Sequence, residues 1–175
     1  MKKVFALLVC LMLLCSVSLA EETVELNWTD FDSEEIQGIG SFQQIEIPGQ
    51  PAIVYWIPSV MASVDVSAME GPFKPTVLYA TEDQEYSVMI FSFEVAGLEE
   101  YAAMMESEGG GSNFNNLKIN GVDCISYEVA DSNMECLIYP VSENIILSFS
   151  LLPMDGDDDW DATKAVIIAS IQPAV

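Results

Sequence analysis

The stretch "GVDCISYEVADSNMECLIYPVSENIILSFSLL", residues 121–152, decides which fold this sequence can adopt. It contains three runs rich in β-branched and aromatic residues, namely "GVDCISYEV", "MECLIYPV" and "NIILSFSLL". The short polar segments "ADSN" and "SE" separate these runs. Consecutive strands that are joined by tight turns pair as antiparallel neighbours. The stretch therefore predicts a three-stranded antiparallel meander.

Two further hairpins are predicted upstream of the meander. The runs "FQQIEI" (42–47) and "AIVYWI" (52–57) lie on either side of a Pro-Gly turn pair. The runs "TVLYAT" (76–81) and "YSVMIFSFEV" (86–95) flank the polar segment "EDQE". Together with the meander, they predict a central antiparallel β-sheet of about six or seven strands.

Two segments have the pattern of helices that pack against this sheet. "LEEYAAMMESE" starts at Leu98, and its apolar residues recur at i, i+3, i+4 and i+7, which is one helical face. "WDATKAVIIASIQ" starts at Trp160 and meets no helix breaker before Pro173. The fold class that follows is α+β, with two main helices against one antiparallel sheet in a single domain.

The first twenty residues have the features of a secretory signal peptide. Two lysines precede an apolar run, and small residues stand before the expected cleavage point after residue 20. Residues 21–35 are then an acidic lead, either flexible or forming an edge strand, and residues 36–175 are the domain. We therefore expect a secreted protein, extracellular or periplasmic, and the lysine-initiated leader is of the bacterial type.

The charge of the predicted mature chain restricts its partners. All 28 acidic residues and only three lysines follow residue 20, with no Arg or His, which gives a net charge of −25. Nucleic-acid binding depends on neutralising phosphates with Lys and Arg, and anionic membranes also repel such a chain. We expect no nucleic-acid partner and no membrane association after cleavage. The expected partner is an unknown extracellular protein or peptide, with weak condensation of cations.

The residue types also restrict the chemistry. Without His, the chain lacks the usual general base and the usual activator of Ser or Cys nucleophiles. Without Arg, it lacks the bidentate clamp for carboxylate or phosphate substrates. The sequence also has no nucleophile motif, so we expect no enzyme activity and no cofactor. A hydrolase that uses two facing carboxylates remains an alternative.

The segment "DGDDDWD", residues 155–161, has two interpretations. An EF-hand loop needs Gly at its sixth position and Glu at its twelfth, but counting from Asp155 these are Trp160 and Val166. The segment is better explained as the entry of a helix, with Asp158 or Asp159 as its N-cap. A looser metal site remains as the weaker alternative, and its ligands would be Asp155, Asp157, Asp159 and Asp161.

The two cysteines of the predicted mature chain, Cys124 and Cys136, lie in the first two strands of the meander. Their positions are symmetric about residue 130, so a three-residue loop would place them opposite one another, within reach of a disulfide. A two-residue loop would move them out of register. Two buried free thiols are the alternative to the disulfide.

Trp28 and Phe31 are large aromatic residues in the acidic lead. They are expected either to attach the lead to the sheet or to contact a partner. The sequence does not distinguish these two roles.

The order of the elements and several short strings resemble a known group of domains. The strings are "FQQIEIPG", "LEEYAAMM", "INGVDCISYEV" and "ATKAVIIASIQP". Together they resemble the PsbP/Mog1-like group of small α/β domains, over roughly residues 36–173. The resemblance implies a central antiparallel sheet with helices against it, and an accessory or binding role rather than catalysis.

Three hypotheses about function follow. The first is a secreted, non-enzymatic binding or accessory domain, which predicts an apolar groove. The second is a protein that binds divalent cations or a cationic partner, which predicts converging carboxylates. The third is the carboxylate-dependent hydrolase, which predicts an acid pair facing across a pocket.

Overall fold

The computed structural model describes residues 23–70 and 74–174. The predicted signal peptide lies outside these residues. Three α-helices are present in this part of the chain: α1 (Glu34–Gly38), α2 (Leu98–Ser107) and α3 (Asp158–Ala169). The strands are β1 (Val24–Leu26), β2 (Gly40–Ile45), β3 (Ile53–Pro58), β4 (Met61–Ser63), β5 (Val77–Thr81), β6 (Ser87–Glu94), β7 (Ser112–Ile119), β8 (Val122–Val129), β9 (Met134–Ser142), β10 (Ile145–Leu152) and β11 (Gln172–Pro173).

A large sheet of eight strands forms the centre of the domain. Its strand order is β1-β7-β8-β9-β10-β6-β5-β4. The predicted meander is β8, β9 and β10, and these three strands are antiparallel neighbours. Strand β1 pairs in parallel with β7, so the sheet is mixed and β1 is one of its edges. The α+β class is confirmed, although the sheet has more strands than the six or seven expected.

The first predicted hairpin is formed, but it belongs to a second sheet. Strands β2 and β3 pair antiparallel, and β11 joins the other side of β3. The resulting three-stranded sheet has the order β11-β3-β2. The expectation of a single central sheet was therefore wrong, because β3 pairs with β2 and β11 and not with a described strand of the large sheet.

Strand β7 was not expected from the sequence. Its residues, "SNFNNLKI", include three asparagines, and such residues are depleted in strands. The strand forms because it pairs along β8 on one side and with β1 at residues 117–119 on the other. Its first half is irregular, with a register shift and a positive φ at Asn113. Tertiary pairing therefore overrides local propensity in this segment.

Hydrophobic cores cover both faces of the large sheet. The larger core contains Tyr55, Leu147, Phe149 and Ile167, and lies between the large sheet, the small sheet and α3. The smaller core contains Tyr101 of α2 and Ile138 of β9. Alternation of side chains along each strand assigns neighbouring residues to opposite cores. Among the described residues, no helix combines the length and the apolar character that crossing a bilayer requires.

Candidate functional site

A groove between α2 and the large sheet is the candidate site. Its helix wall consists of Glu99, Ala102, Ala103 and Glu106, which are spaced at i, i+3, i+4 and i+7 and so share one face. Its sheet wall consists of Phe114, Asn116 and Ile125. The groove is open to solvent and has a volume of about 230 Å³.

The two walls follow from the packing of α2 and from the register of β7. Tyr101 is buried and stacks on Phe93, with ring centroids 5.4 Å apart, which fixes the helix on the sheet. Asn116 pairs with Ile125 across β7 and β8, so both side chains lie on the face that carries α2. Because Ala102 and Ala103 are small, this part of the helix leaves space above the sheet.

The floor of the groove is apolar and ordered by aromatic stacking. Phe114 stacks on the buried Tyr127, with ring centroids 5.2 Å apart and an interplanar angle of 8°. Ile125 and Ala102 are themselves buried, at 4% and 8% exposure. Of these residues, the half-buried Phe114 therefore offers most of the apolar surface that a bound group could contact.

The rim of the groove is acidic, and within the part of the chain that the structure describes no lysine pairs with it. Glu99 lies in the first turn of α2 and Glu106 in its last turn, and both are exposed. The three lysines in the described part of the chain are engaged elsewhere. Lys118 pairs with Asp123 at 3.3 Å, Lys164 pairs with two carboxylates, and Lys74 donates to the Ser67 carbonyl at 3.2 Å.

The acidic segment 155–161 is a helix entry in the structure. The Asp157 carboxylate accepts a hydrogen bond from the Trp160 backbone N–H at 2.8 Å, so Asp157 is the N-cap of α3. The predicted cap, Asp158 or Asp159, was wrong by one or two residues, because the helix begins two residues before Trp160. Among the described residues, no group of three acidic or cysteine side chains is placed to hold a metal ion.

Gly156 of this segment, together with Pro153 just before it, positions the indole of Trp160. A Cβ on Gly156 would lie 2.1 Å from the Trp160 ring, so only glycine allows the ring to pack there. The indole N–H donates to the Pro153 carbonyl at 2.7 Å. Of the four aspartates of the weaker metal alternative, Asp157 caps the helix and Asp161 pairs with Lys164, so these two carboxylates have other partners.

Lys164 is a buried cation that the sequence analysis did not single out. Its side chain is 7% exposed, and its ammonium lies 2.7 Å from Glu135 and 3.0 Å from Asp161. It also donates to the Met154 carbonyl at 2.9 Å. Burial alone lowers the pKa of Lys164, but the hydrogen bonds and charges of the two carboxylates outweigh burial and raise it above its ordinary value.

The two cysteines are free, buried thiols on opposite faces of the large sheet. Cys136 pairs with Tyr127 across β8 and β9, so the position opposite Cys124 is Tyr139. The two strands are antiparallel neighbours, as predicted, but the loop between them spans residues 130–133 instead of three residues, so the alternative of two buried free thiols is the one observed. Burial raises the pKa of Cys124 to about 12 and also raises the pKa of Cys136, so both thiols stay protonated at neutral pH.

Trp28 and Phe31 lie on the core side of the acidic lead. Both are half-buried and pack against the larger core. The Trp28 ring meets Phe42 edge to face at 5.1 Å, and its backbone N–H donates to Asn120 at 2.8 Å. Their contacts in the structure are those of the attachment role, in which the two aromatic residues hold the lead on the small sheet.

The buried tyrosines are structural. The hydroxyl groups of Tyr55 and Tyr79 lie 3.2 Å apart in the larger core. Burial raises the pKa of Tyr55 far above its ordinary value, followed by the effect of Tyr79. Burial also raises the pKa of Tyr139 to about 12. The phenols of Tyr55 and Tyr139 stay protonated and inaccessible, which suits packing and not proton transfer.

Comparison with known proteins supports the fold and leaves the family open. No protein-family model matches this chain, and no curated protein matches it in sequence. Among solved structures, the chain is similar to the solution structure of cyanobacterial PsbP (CyanoP) from Synechocystis sp. PCC 6803. The TM-score is 0.50 at 13% identity, over 83% of this chain and 99% of that chain. The similarity confirms a PsbP-like fold, and at this identity it extends to the fold alone.

Proposed function

We propose that this chain is an exported, non-enzymatic accessory domain that binds a protein or peptide partner through the groove beside α2. The observation that carries the proposal is the groove itself, with its stacked Phe114, its two alanines and its acidic rim. A concave surface that combines apolar contacts with a few placed polar groups is the usual form of a binding site. The leader pattern of residues 1–20 supports export.

The polar groups around the groove favour binding over the hydrolase alternative. Glu99 and Glu106 lie on the same wall, while the opposite wall presents Phe114, Asn116 and Ile125. Glycosidase chemistry requires two carboxylates that flank the bond to be broken. In this groove, a bound group would meet both carboxylates on one side and a wall without a carboxylate on the other. This arrangement suits recognition of a side chain and not attack on a bond.

The experiment compares three forms of the protein as bait in an extract of the cells that produce it. The groove variant is Ala103→Trp, because Ala103 is exposed and lines the groove. The matched control is Met104→Trp, which adds the same ring at the next exposed position on α2, outside the groove. Circular dichroism and thermal unfolding verify that both variants fold.

We expect the wild-type protein and Met104→Trp to capture the same partner, and Ala103→Trp to lose it. A photo-crosslinking amino acid at position 103 should label that partner, and a crosslinker at position 104 should not. If Ala103→Trp captures the partner as well as the wild type does, the groove is not the binding site and the proposal fails.

A further inference from the structure

We infer that the groove beside α2 recognises a basic segment of its partner, in which two Lys or Arg side chains flank an apolar residue. This inference rests on the proposed binding function and adds the chemistry of the ligand to it. The apolar residue would contact Phe114 and Ala103, and the two cations would reach Glu99 and Glu106.

The first argument is charge complementarity at the rim. In the described part of the chain, neither Glu99 nor Glu106 is ion-paired, and the lysines are engaged elsewhere. The helix carries no basic residue in its last turn. An anionic ligand would be repelled by both carboxylates and by the net charge of the chain. A cationic ligand would gain from both.

The second argument is the position of Glu106 in the helix. Acidic residues near the N-terminus of a helix are favoured by the macrodipole, and acidic residues in the last turn are disfavoured. Glu99 therefore stabilises α2 and Glu106 opposes it. A local conflict of this kind is typical of functional positions. A bound cation would remove the conflict, since it would offset the carboxylate and the negative helix end together.

The third argument is spacing. Glu99 and Glu106 are seven residues apart, which corresponds to about 10.5 Å along the helix axis. A peptide in the polyproline II conformation has three residues per turn and rises about 3.1 Å per residue, so its residues i and i+3 project on the same side about 9 Å apart. Basic residues at positions i and i+3 of such a segment thus match the two carboxylates. The residues between them would lie over the apolar floor.

The test uses synthetic peptides with blocked ends and the sequence Gly-Lys-Leu-Ala-Lys-Gly, measured by fluorescence anisotropy at ~0.15 M salt. Two further peptides place one or four residues between the lysines, and another replaces both lysines with Gln. We expect the first peptide to bind best and the Gln peptide to lose most of the binding. Equal binding of all lysine spacings would contradict the two-point arrangement.

The protein variants separate the groove from diffuse attraction. The groove variant is Glu99→Gln/Glu106→Gln. The control is Glu100→Gln/Glu108→Gln, which changes the same charge at the same two helix ends but lies outside the groove. Exposed ion pairs each contribute a factor of about two to three in affinity. We expect about a fivefold loss in the groove variant and little loss in the control. An equal loss in both variants would mean diffuse attraction and would overturn the inference.

Thermal stability gives a second test, because a variant with only a structural effect would change stability and binding in the same direction. Glu106→Gln should raise the Tm of the free protein by about 1–3 °C, because it removes an unfavourable dipole interaction. Glu99→Gln should lower it slightly. Both single variants should nevertheless weaken peptide binding. If Glu106→Gln loses stability, the conflict at the helix end does not exist and the second argument fails.

The inference and the proposed function fail in different ways. Suppose that Ala103→Trp abolishes capture of the native partner, while none of the lysine peptides binds more tightly than the Gln peptide. The binding site then stands and the basic ligand class is wrong. If Ala103→Trp leaves the capture unchanged while the peptides bind, the peptides bind the acidic surface in general, and both proposals are wrong.

Discussion

Replacing Lys164 with Met is the most direct test of how this acidic fold is held together. The ammonium of Lys164 contacts Glu135, Asp161 and the Met154 carbonyl, and so connects α3 to β9 and to the loop before α3. Met keeps most of the side-chain volume and the apolar packing of the stem. The variant therefore removes the charge and the hydrogen bonds with little change in shape.

The expected loss of stability is about 2 kcal/mol. Removing one partner of a fully buried ion pair costs about 3–5 kcal/mol. Here the Lys164 side chain is 7% exposed, but those of Glu135 and Asp161 are 32% and 41% exposed. Water can therefore solvate the two carboxylates after the ammonium is removed, so we expect a loss below the range for a fully buried pair. For a chain of this size, 2 kcal/mol corresponds to a fall in Tm of about 4–8 °C.

Urea denaturation at pH 7 provides the measurement, and Lys118→Met provides the control. Lys118 also forms an ion pair, with Asp123 at 3.3 Å, but these side chains are 39% and 79% exposed. Such a surface pair contributes at most about 0.5–1 kcal/mol. Both variants change the net charge equally. If Lys164→Met destabilises the protein no more than Lys118→Met does, the buried ion pair does not contribute as described.

The pH dependence of the difference between wild type and Lys164→Met has a defined sign. The pKa of Lys164 is raised in the folded state, so its stabilising contribution is complete below the pKa of an unfolded lysine, about 10.4. The contribution is lost as the pH rises through the raised folded value. The difference in unfolding free energy should thus be constant from pH 7 to 9 and shrink above pH ~10.4. A difference that grows with pH would contradict this assignment.

Three further outcomes are expected. Asp157→Ala should lose about 1 kcal/mol of stability through the missing cap, and Asp159→Ala should lose clearly less; equal losses would contradict the capping assignment. Cys124 and Cys136 should react with a thiol reagent only after unfolding, in a chain that starts at residue 21, and rapid labelling of the native protein would contradict their burial. Calcium at ~0.15 M salt should not bind saturably more tightly than ~10⁻⁵ M, and tighter binding that Asp157→Asn and Asp159→Asn abolish would show a metal site instead.

The sequence was sufficient for the centre of the fold because local patterns and tertiary pairing agree there. In residues 121–152, apolar runs alternate with short polar turns, and each run forms a strand next to the previous one. The helix from Leu98 was predictable for the same reason, since its buried residues Tyr101 and Ala102 are on the face that the periodicity indicated. A segment can be predicted from sequence when its local propensity and its tertiary pairing favour the same structure.

The sheet edges and the second sheet could not be predicted, because long-range pairing alone determines them. Strand β7 has an asparagine-rich sequence and needs β8 and β1 to form. Strand β11 has only two residues, and its pairing with β3 bridges a long sequence separation. The sequence predicted that the two cysteines lie on neighbouring strands, but it could not choose between a disulfide and two buried thiols for the same reason. A shift of register by one residue reverses the face of every side chain, and the turn sequence did not fix the register.

The candidate site could be predicted from the sequence only in part. The helix wall is visible in the sequence, as two alanines flanked by glutamates at helical spacing. The sheet wall depends on Phe114 and Asn116, which lie in the strand that the sequence did not reveal. Lys164 gave a weaker signal, as a lone cation on the helical face of Trp160 and Ile167. In so acidic a chain, a lysine among buried residues of one helix face indicates an internal ion pair.

The two main helices differ in where they carry acidic residues. In α3, the acidic residues Asp158, Asp159 and Asp161 are confined to the first turn, where the macrodipole favours them. In α2, acidic residues occupy both ends, and Glu106 in the last turn also lines the groove. The last turn of α3 thus contains no acidic residue, whereas the last turn of α2 contains Glu106. Glu108 shares the unfavourable helix end but lies outside the groove, so it serves as a control and adds no evidence for the site. What separates Glu106 from Glu108 is its place on the groove wall, and the paired Gln variants of the two positions test whether that place matters for binding.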